Sequence, residues 1–583
     1  MDCRDRILSN DYRDIITDYP IRLDPNEGLD ICYVSIGGLF NIAYINRLGL
    51  PPIMDTLYEY QNTPKLYGLM QITGGETAGG AAGPGARRAE PFDPGSLVAS
   101  GIMQVQRPPL ALTGRGVVLC FIDTGIDYTN PVFRDANGNS RILAIWDQTI
   151  QEGDPPEGFL YGTQYRTEDI NRALQSQDPY SIVPSRDENG HGTAMASVAA
   201  GSSMDADLTF LGAAPEADIL VVKLKECKQY LREYYLVPEG VPAYQENDIM
   251  LAVHYADSFY QVFRRPVVIC LGIGTNMGDH NGSSALSGFL TTVAVKRSRA
   301  VVVCGGNEGN AAHHFQGRLP VGSAAGEFQD VEVRVGENNS GFILEFWGNV
   351  PDIFNVTIRS PGGETIPPVR LGINQAITYG FIYERTRVTI TSIVVEPSTG
   401  EELIVFRFVN PTPGIWNLRI SAEGEVNNGI FHMWLPIREF LSADSYFLEP
   451  NPYITLTEPS MAASVITVST YNDLNNSFYI ESGRGFTRTG QIKPFFAAPG
   501  VNVPTIFGRQ TGSSLAAAIS AGGVAQFMQW AVVEGNRELM ESTEVKAYFI
   551  RGAIRNPDLT YPNREWGYGR LNVAGTFDAL AGV

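Results

Sequence analysis

A succession of short, almost purely apolar runs constrains this chain more than any other feature. They are Val117-Val-Leu-Cys-Phe-Ile122, Ala217-Asp-Ile-Leu-Val-Val-Lys-Leu224, Pro266-Val-Val-Ile-Cys-Leu271 and Ala300-Val-Val-Val-Cys304. A strand that is apolar on both faces must be covered on both faces, and that is the condition of a parallel sheet. Between the runs, residues 247–263 and 283–295 carry apolar positions at helical spacing. Apolar strands alternating with helices predict an α/β fold, a parallel sheet with helices on both faces. The pattern resumes at Ala463-Ser-Val-Ile-Thr-Val468, continues through a small-residue helix to about Val532, and ends in a helix near 543–555.

Two segments break this rhythm. From about 326 to 450, short runs alternate with period two, such as Val331/Val333/Val335 and Trp416/Leu418/Ile420, separated by Gly, Pro, Asn and Asp. That pattern predicts an inserted all-β unit, a sandwich or jelly roll. Residues 1–71 read as a small α+β unit, with a strand at 31–36, helical spacing at 39–48 and a second strand at 57–60. A run of Gly and Ala from 74 to 88 follows, inside a linker spanning 72–98. The expected organisation is therefore an N-terminal unit (1–71), a linker (72–98), an α/β domain in two parts (99–325 and 451–583) and the β insert (326–450).

Composition excludes several function classes. The 583 residues carry a formal net charge of −20, which opposes binding to a nucleic-acid backbone. The N-terminus has no continuous apolar h-region, and the apolar stretch 31–50 is too broken to span a bilayer. We therefore expect cytoplasmic synthesis without a signal peptide and no membrane span. The six cysteines form no C-x-x-C pair and no metal-ligand cluster, so they read as reduced, buried small hydrophobes, and no metal or cofactor is expected.

Three motifs carry chemistry. Ile122-Asp-Thr-Gly ends an apolar strand, where reactive groups collect in open parallel sheets. Asn189-Gly-His-Gly-Thr-Ala-Met-Ala196 opens one small-residue helix, and Thr511-Gly-Ser-Ser-Leu-Ala-Ala-Ala518 opens another. Serine is a weak nucleophile. It needs a base to take its proton, and the base needs a carboxylate to fix its tautomer. Asp123, His191 and Ser514 supply those three parts. Taken singly each motif is weak. A serine at a helix mouth is often a cap, and Asp-Thr-Gly is also half of an aspartic-protease dyad, although no second half is present.

Together, the three stretches resemble those of subtilisin-family serine proteases, in the chain order Asp, His, Ser. The resemblance implies that Asp123 orients, His191 serves as general base and acid, and Ser514 is the nucleophile. Val303-Cys-Gly-Gly-Asn-Glu-Gly309 resembles the family's Gly-Asn-x-Gly loop, which makes Asn307 an oxyanion donor. Leu271-Gly272 resembles the strand that pairs with the substrate backbone. Ser513 stands where the family commonly has Thr, and Ala518 where it has Pro. The Asn-rich calcium loop of secreted subtilisins is absent after the His191 helix.

A narrower resemblance, to the Csp germination proteases of spore-forming clostridia, covers almost the whole chain. It rests on the short N-terminal unit, the β insert placed after Asn307, Thr275-Asn-Met-Gly-Asp-His-Asn-Gly-Ser-Ser284, and Thr63-Pro-Lys-Leu-Tyr-Gly-Leu-Met-Gln71. It implies that residues 1–71 are a prodomain, cut off by the enzyme itself near Gln71 and able to remain bound with its end in the active site. Leu69, Met70 and Gln71 would then be the third to first residues before the cut. The implied partners are the prodomain and a protein substrate, a cortex-lytic hydrolase zymogen, and the implied setting is the spore. Two other readings stay open: a prodomain-occluded pseudoprotease acting as a signalling scaffold, and a housekeeping subtilase.

Overall fold

A computed structural model describes residues 2–18, 30–47, 60, 62–74, 94–202, 210–367 and 375–582. The apolar runs form the centre of a nine-stranded sheet. In spatial order it holds Ser477–Phe478, Ile466–Asn472, Arg299–Cys304, Val267–Leu271, Val118–Asp123, Asp218–Lys223, Ile142–Asp147 and Thr163–Arg166, with Phe496–Pro499 also paired to Ile466–Asn472. The five pairings from Ile466–Asn472 across to Ile142–Asp147 are parallel, as is that of Phe496–Pro499. The two outermost strands are antiparallel. The Val118–Asp123, Val267–Leu271 and Arg299–Cys304 strands are buried at every residue, which is why their sequences show no alternation.

One core lies on each face of this sheet. On one side are the helices Glu246–Phe263 and Ala285–Ala294, as the spacing predicts. On the other are His191–Ala200 and Ser513–Met528. Every residue of the Ser513–Met528 helix is buried. Among the described residues, 513–533 is the one helical stretch long and apolar enough to cross a membrane, and 83% of it is buried inside the protein. The last helices are Ser542–Gly552, which the sequence predicts, and Val573–Ala581, which it does not.

The insert is all-β, as expected. It consists of two antiparallel sheets around a core of their own. Its six-stranded sheet starts with His314–Arg318, ahead of position 326. Its Gly341–Gly348 strand is buried on both sides. Phe342, Leu344 and Phe346 face the insert core, while Ile343 and Trp347 belong to the core under the Ser513 helix. The Gly341–Gly348 strand therefore has no exposed residue.

Two expectations for the N-terminal unit are corrected. Residues 39–47 of the expected helix at 39–48 are not α-helical. Phe40–Asn46 is a strand, the centre of a three-stranded antiparallel sheet between Tyr12–Thr17 and Ile31–Ile36. Pairing on both sides and the β-branched and aromatic residues Phe40, Ile42, Tyr44 and Ile45 outweigh the helical spacing. Cys3 and Cys32 are not reduced. They form a disulfide between the Cys3–Leu8 helix and the neighbouring strand, with Cα atoms 5.6 Å apart and a sequence separation of 29. The other four cysteines are free and buried. The expected strand at 57–60 and the Gly/Ala run after 74 fall almost wholly outside the described residues.

A buried ion pair fastens this unit to the α/β domain. The Lys228 Nζ lies 2.5 Å from Asp14 Oδ1, and both side chains are buried. The second Asp14 oxygen accepts from Gln245 and Asn247, at 2.7 and 3.2 Å. Removing one partner strands a buried charge, so Asp14→Ala should cost about 3–5 kcal/mol. Asp14→Leu combined with Lys228→Met should cost much less. Chemical unfolding of the three proteins checks this, and equal losses from the single and double variants would contradict it.

Candidate active site

Three loops at the carboxyl edge of the sheet bring the sequence motifs together. Asp123 is the last residue of its strand, and its carboxylate accepts from the Thr124 N–H at 2.8 Å. The His191 helix begins just above it. Asp187 shapes that start, accepting from the Gly190 and Thr193 N–H groups at 2.8 and 2.9 Å and from the Thr193 hydroxyl at 2.6 Å. Gly190 precedes the helix at φ +86°, a left-handed conformation that glycine adopts without strain. Gly192 allows the close approach. A Cβ there would sit 2.3 Å from the Gly125 carbonyl oxygen and 3.2 Å from the Asp123 Cβ.

Asp123, His191 and Ser514 form one hydrogen-bonded line. His191 Nδ1 is 2.7 Å from Asp123 Oδ1, and Nε2 is 3.1 Å from Ser514 Oγ. All three side chains are buried. Burial pulls the His191 pKa down, but the Asp123 charge and hydrogen bond, with a smaller contribution from the Met70 carbonyl, outweigh it and leave the pKa raised. Neither Ser513 nor Ser514 caps the helix. Gly512 holds the capping position, and the serines are the first two helical residues. Ser514 therefore stands in the first turn, where backbone N–H groups and the helix dipole favour negative charge.

Asn307 completes the group from the loop after the Arg299–Cys304 strand. Its Oδ1 accepts from the Ser513 N–H at 3.2 Å, which turns its amide toward the cleft. There Nδ2 donates to the Gln71 carbonyl at 3.0 Å.

The cleft is filled by the chain itself. Leu66–Leu69 is the central strand of a three-stranded antiparallel sheet, between Ile273–Gly274 and Ala243–Gln245. The Met70 N–H donates to the Gly272 carbonyl at 2.9 Å. Ser514 Oγ donates to the Met70 carbonyl at 2.8 Å, and His191 Nε2 lies 3.1 Å from the same oxygen. Past the serine, Thr73 and Thr511 exchange backbone hydrogen bonds, both 2.8 Å. Residues 66–73 thus run across the serine without a break.

Of the expected site residues, Asp123, His191, Ser514, Asn307 and Gly272 meet here directly, and Gln71 through its carbonyl. Leu271 is buried in the sheet, one residue before the pairing edge. The sequence reading missed the opposite wall, Ala243–Gln245, whose three residues are too short for any periodicity. It also missed Gly274 and Thr511. Among the described residues, no group of three or more His, Cys, Asp or Glu is arranged to hold a metal ion.

The profile of the subtilase family matches residues 114–327 and 448–569, the two parts of the α/β domain on either side of the insert. No curated protein matches the chain. Among solved structures, the CspB protease of Clostridium perfringens is similar at 31% identity and a TM-score of 0.73, over 84% of this chain and 99% of that one. MycP1 from Mycobacterium smegmatis aligns at 13% identity over 88% of this chain and 89% of its own, with a TM-score of 0.37, too slight a similarity to add to the assignment.

The raised His191 pKa makes a prediction of its own. The ring should protonate with a midpoint above the ordinary value of about 6.5. Asp123→Asn, which removes the charge that raises it, should bring the midpoint down. Histidine NMR titration of both proteins reads this, and an unchanged midpoint in the variant would refute the attribution to Asp123.

Proposed function

The chain belongs to the subtilase family of serine endopeptidases, and we propose that Asp123, His191 and Ser514 are its catalytic triad. The observation that carries this reading is the continuous line from carboxylate to imidazole to hydroxyl, at 2.7 and 3.1 Å. His191 takes the Ser514 proton as Oγ attacks a peptide carbonyl, and then delivers it to the leaving amine. Asp123 holds the imidazole with Nδ1 protonated and stabilises the imidazolium. Asn307 donates to the oxyanion.

The first substrate in this reading is the chain's own N-terminal unit, acting as a prodomain. Its segment 66–73 lies in the cleft with the extended backbone pairing that substrates of such proteases use. The fold similarity to the CspB protease and the resemblance to the Csp germination proteases support a second substrate, a protein zymogen of the cortex-lytic type, and a place in the spore. A specific observation favours the alternative of an occluded scaffold: Ser514 has no exposed surface, because residues 69–73 cover it. A fluorophosphonate probe separates the two, since an active, uncovered serine labels and a permanently covered one does not.

Three outcomes follow from the triad reading. Ser514→Ala should remain full-length, where the parent protein separates into two fragments. Asn307→Ala should slow self-cutting by about 10²- to 10³-fold, the usual cost of one oxyanion donor. The rate should also fall as the pH drops through a midpoint above about 6.5, because only neutral His191 accepts the proton. Intact-mass time courses on purified protein read all three. Fragments from Ser514→Ala at the parent rate would sink the assignment.

A further inference from the structure

The cleft also specifies which sequence it cuts. Resting on the self-processing reading above, we infer that the cut bond is Met70–Gln71 and that the β insert closes over the cleft to demand glycine two residues before the methionine. The substrate class is a polypeptide carrying a Gly-x-Met segment, cut on the carboxyl side of Met.

The first half rests on which side chain is enclosed. Met70 is 1% exposed, whereas the Gln71 side chain is exposed. The Met70 sulfur is 3.9 Å from the Thr457 hydroxyl. Thr457 also packs on the backbones of Gly274 and Gly306, where an added Cβ would lie 2.4 and 2.6 Å from its side chain. Thr457 is thus wedged against those two glycines while its hydroxyl meets the Met70 sulfur, and the Met70 side chain is enclosed in the hydrophobic core beside Ser514. An unbranched, polarizable side chain suits such a slot. The backbone register agrees. The Met70 N–H is bonded to Gly272, and the Met70 carbonyl is the one that Ser514 and His191 both approach. In the uncut chain Asn307 holds the next carbonyl, that of Gln71, so attack requires the Met70 carbonyl to rotate toward the Asn307 amide. The cut then falls one residue ahead of the position that the family resemblance implies.

The second half rests on Gly68. It pairs with Gly274, and the insert's exit segment lies over it. A Cβ on Gly68 would stand 2.6 Å from Ile437 Cδ1 and 3.1 Å from a ring carbon of Phe440. Both residues are buried, at 0% and 1% exposure, so neither has free space to yield. A cleft that would otherwise leave this position open to solvent is closed by the insert, and a larger residue at this position is excluded.

In the step itself, the Ser514 Oγ–H proton passes to His191 Nε2 as an Oγ–C bond forms to Met70. The Met70–Gln71 C–N bond breaks, and the proton goes to the Gln71 amine. Water then cleaves the Oγ–acyl bond, which leaves Met70 as a free carboxylate and restores the serine.

The test is N-terminal sequencing and intact mass of the full-length protein after self-cutting, with Ser514→Ala as the control for foreign proteases. We expect a product that starts at Gln71 and a prodomain that ends at Met70; a product starting at Ile72 overturns the assignment of the bond. Met70→Asp should abolish cutting, since it buries a charge among apolar side chains. Gly68→Val should slow cutting by about 10- to 100-fold, as overpacking a filled site does. Adding Ile437→Ala should restore most of the loss. Restoration is an outcome that a merely misfolded prodomain would not give, and its failure overturns the role of the insert. A parent protein that stays whole and takes no fluorophosphonate label would instead remove the self-processing reading beneath the inference.

Discussion

The burial of the Ser513–Met528 helix is the constraint on which the rest depends. It lies against the His191–Ala200 helix and against the Val267–Leu271, Arg299–Cys304 and Ile466–Asn472 strands. Small residues make that possible. A Cβ on Gly522 would meet Ala213 at 2.3 Å and the Ala199 carbonyl at 3.0 Å, and one on Gly523 would meet Val573 at 2.8 Å. Because the helix is fixed on all sides, its first turn is fixed too. Ser514 is held against His191, 323 residues away in sequence, without any bond between the two helices beyond packing and the site's own contacts. Its far end is tied by Gln529, whose side-chain Oε1 accepts from the Thr113, Gly114 and Arg115 N–H groups. The side chain at the end of this buried helix thus fastens it to the segment that leads into the strand ending in Asp123.

Much of this was legible in the sequence because it depends on local pattern. Doubly buried strands have to be apolar throughout, so the central sheet announced itself. Strand ends and helix starts have to carry the reactive groups, so Asp123, His191, Ser514 and Asn307 could be named from their neighbours. What could not be read depends on distant pairing. The strand at Phe40–Asn46 carries helical spacing and becomes a strand because it has a partner on each side. Cys3 and Cys32 are joined because the first helix packs on the second strand, a fact that no spacing encodes. Ala243–Gln245 is a strand only while Leu66–Leu69 lies beside it.

The same dependence explains how the cleft is kept shut. Residues 66–69 satisfy the backbone groups of two edge strands that would otherwise face solvent. The N-terminal unit brings that segment in and is anchored at a separate point, the buried Asp14–Lys228 pair. Two attachments on one small unit raise the effective concentration of each for its site. Severing the chain after the site breaks neither attachment. Any displacement of the segment therefore has to compete with both contacts together.

The insert's position in the chain makes it part of that cleft. It leaves the α/β domain shortly after Asn307 and returns shortly before Thr457, so its two ends flank the residue that holds the Gln71 carbonyl and the one that meets the Met70 side chain. Glu308, next to Asn307, is paired with His313 at the insert's entry and accepts from the Arg438 N–H, at 3.1 Å, at its exit. Thr457 is held from the other side, its N–H donating to Gly305 at 3.2 Å, and the adjoining Glu458 exchanges backbone bonds with Thr275, both 2.9 Å. The insert's two ends are thereby tied to the loop that carries Asn307 and to the segment that faces Met70. A β unit placed elsewhere on the surface would add bulk without touching the chemistry. Placed here, between the loop that carries Asn307 and Thr457, it is joined to both.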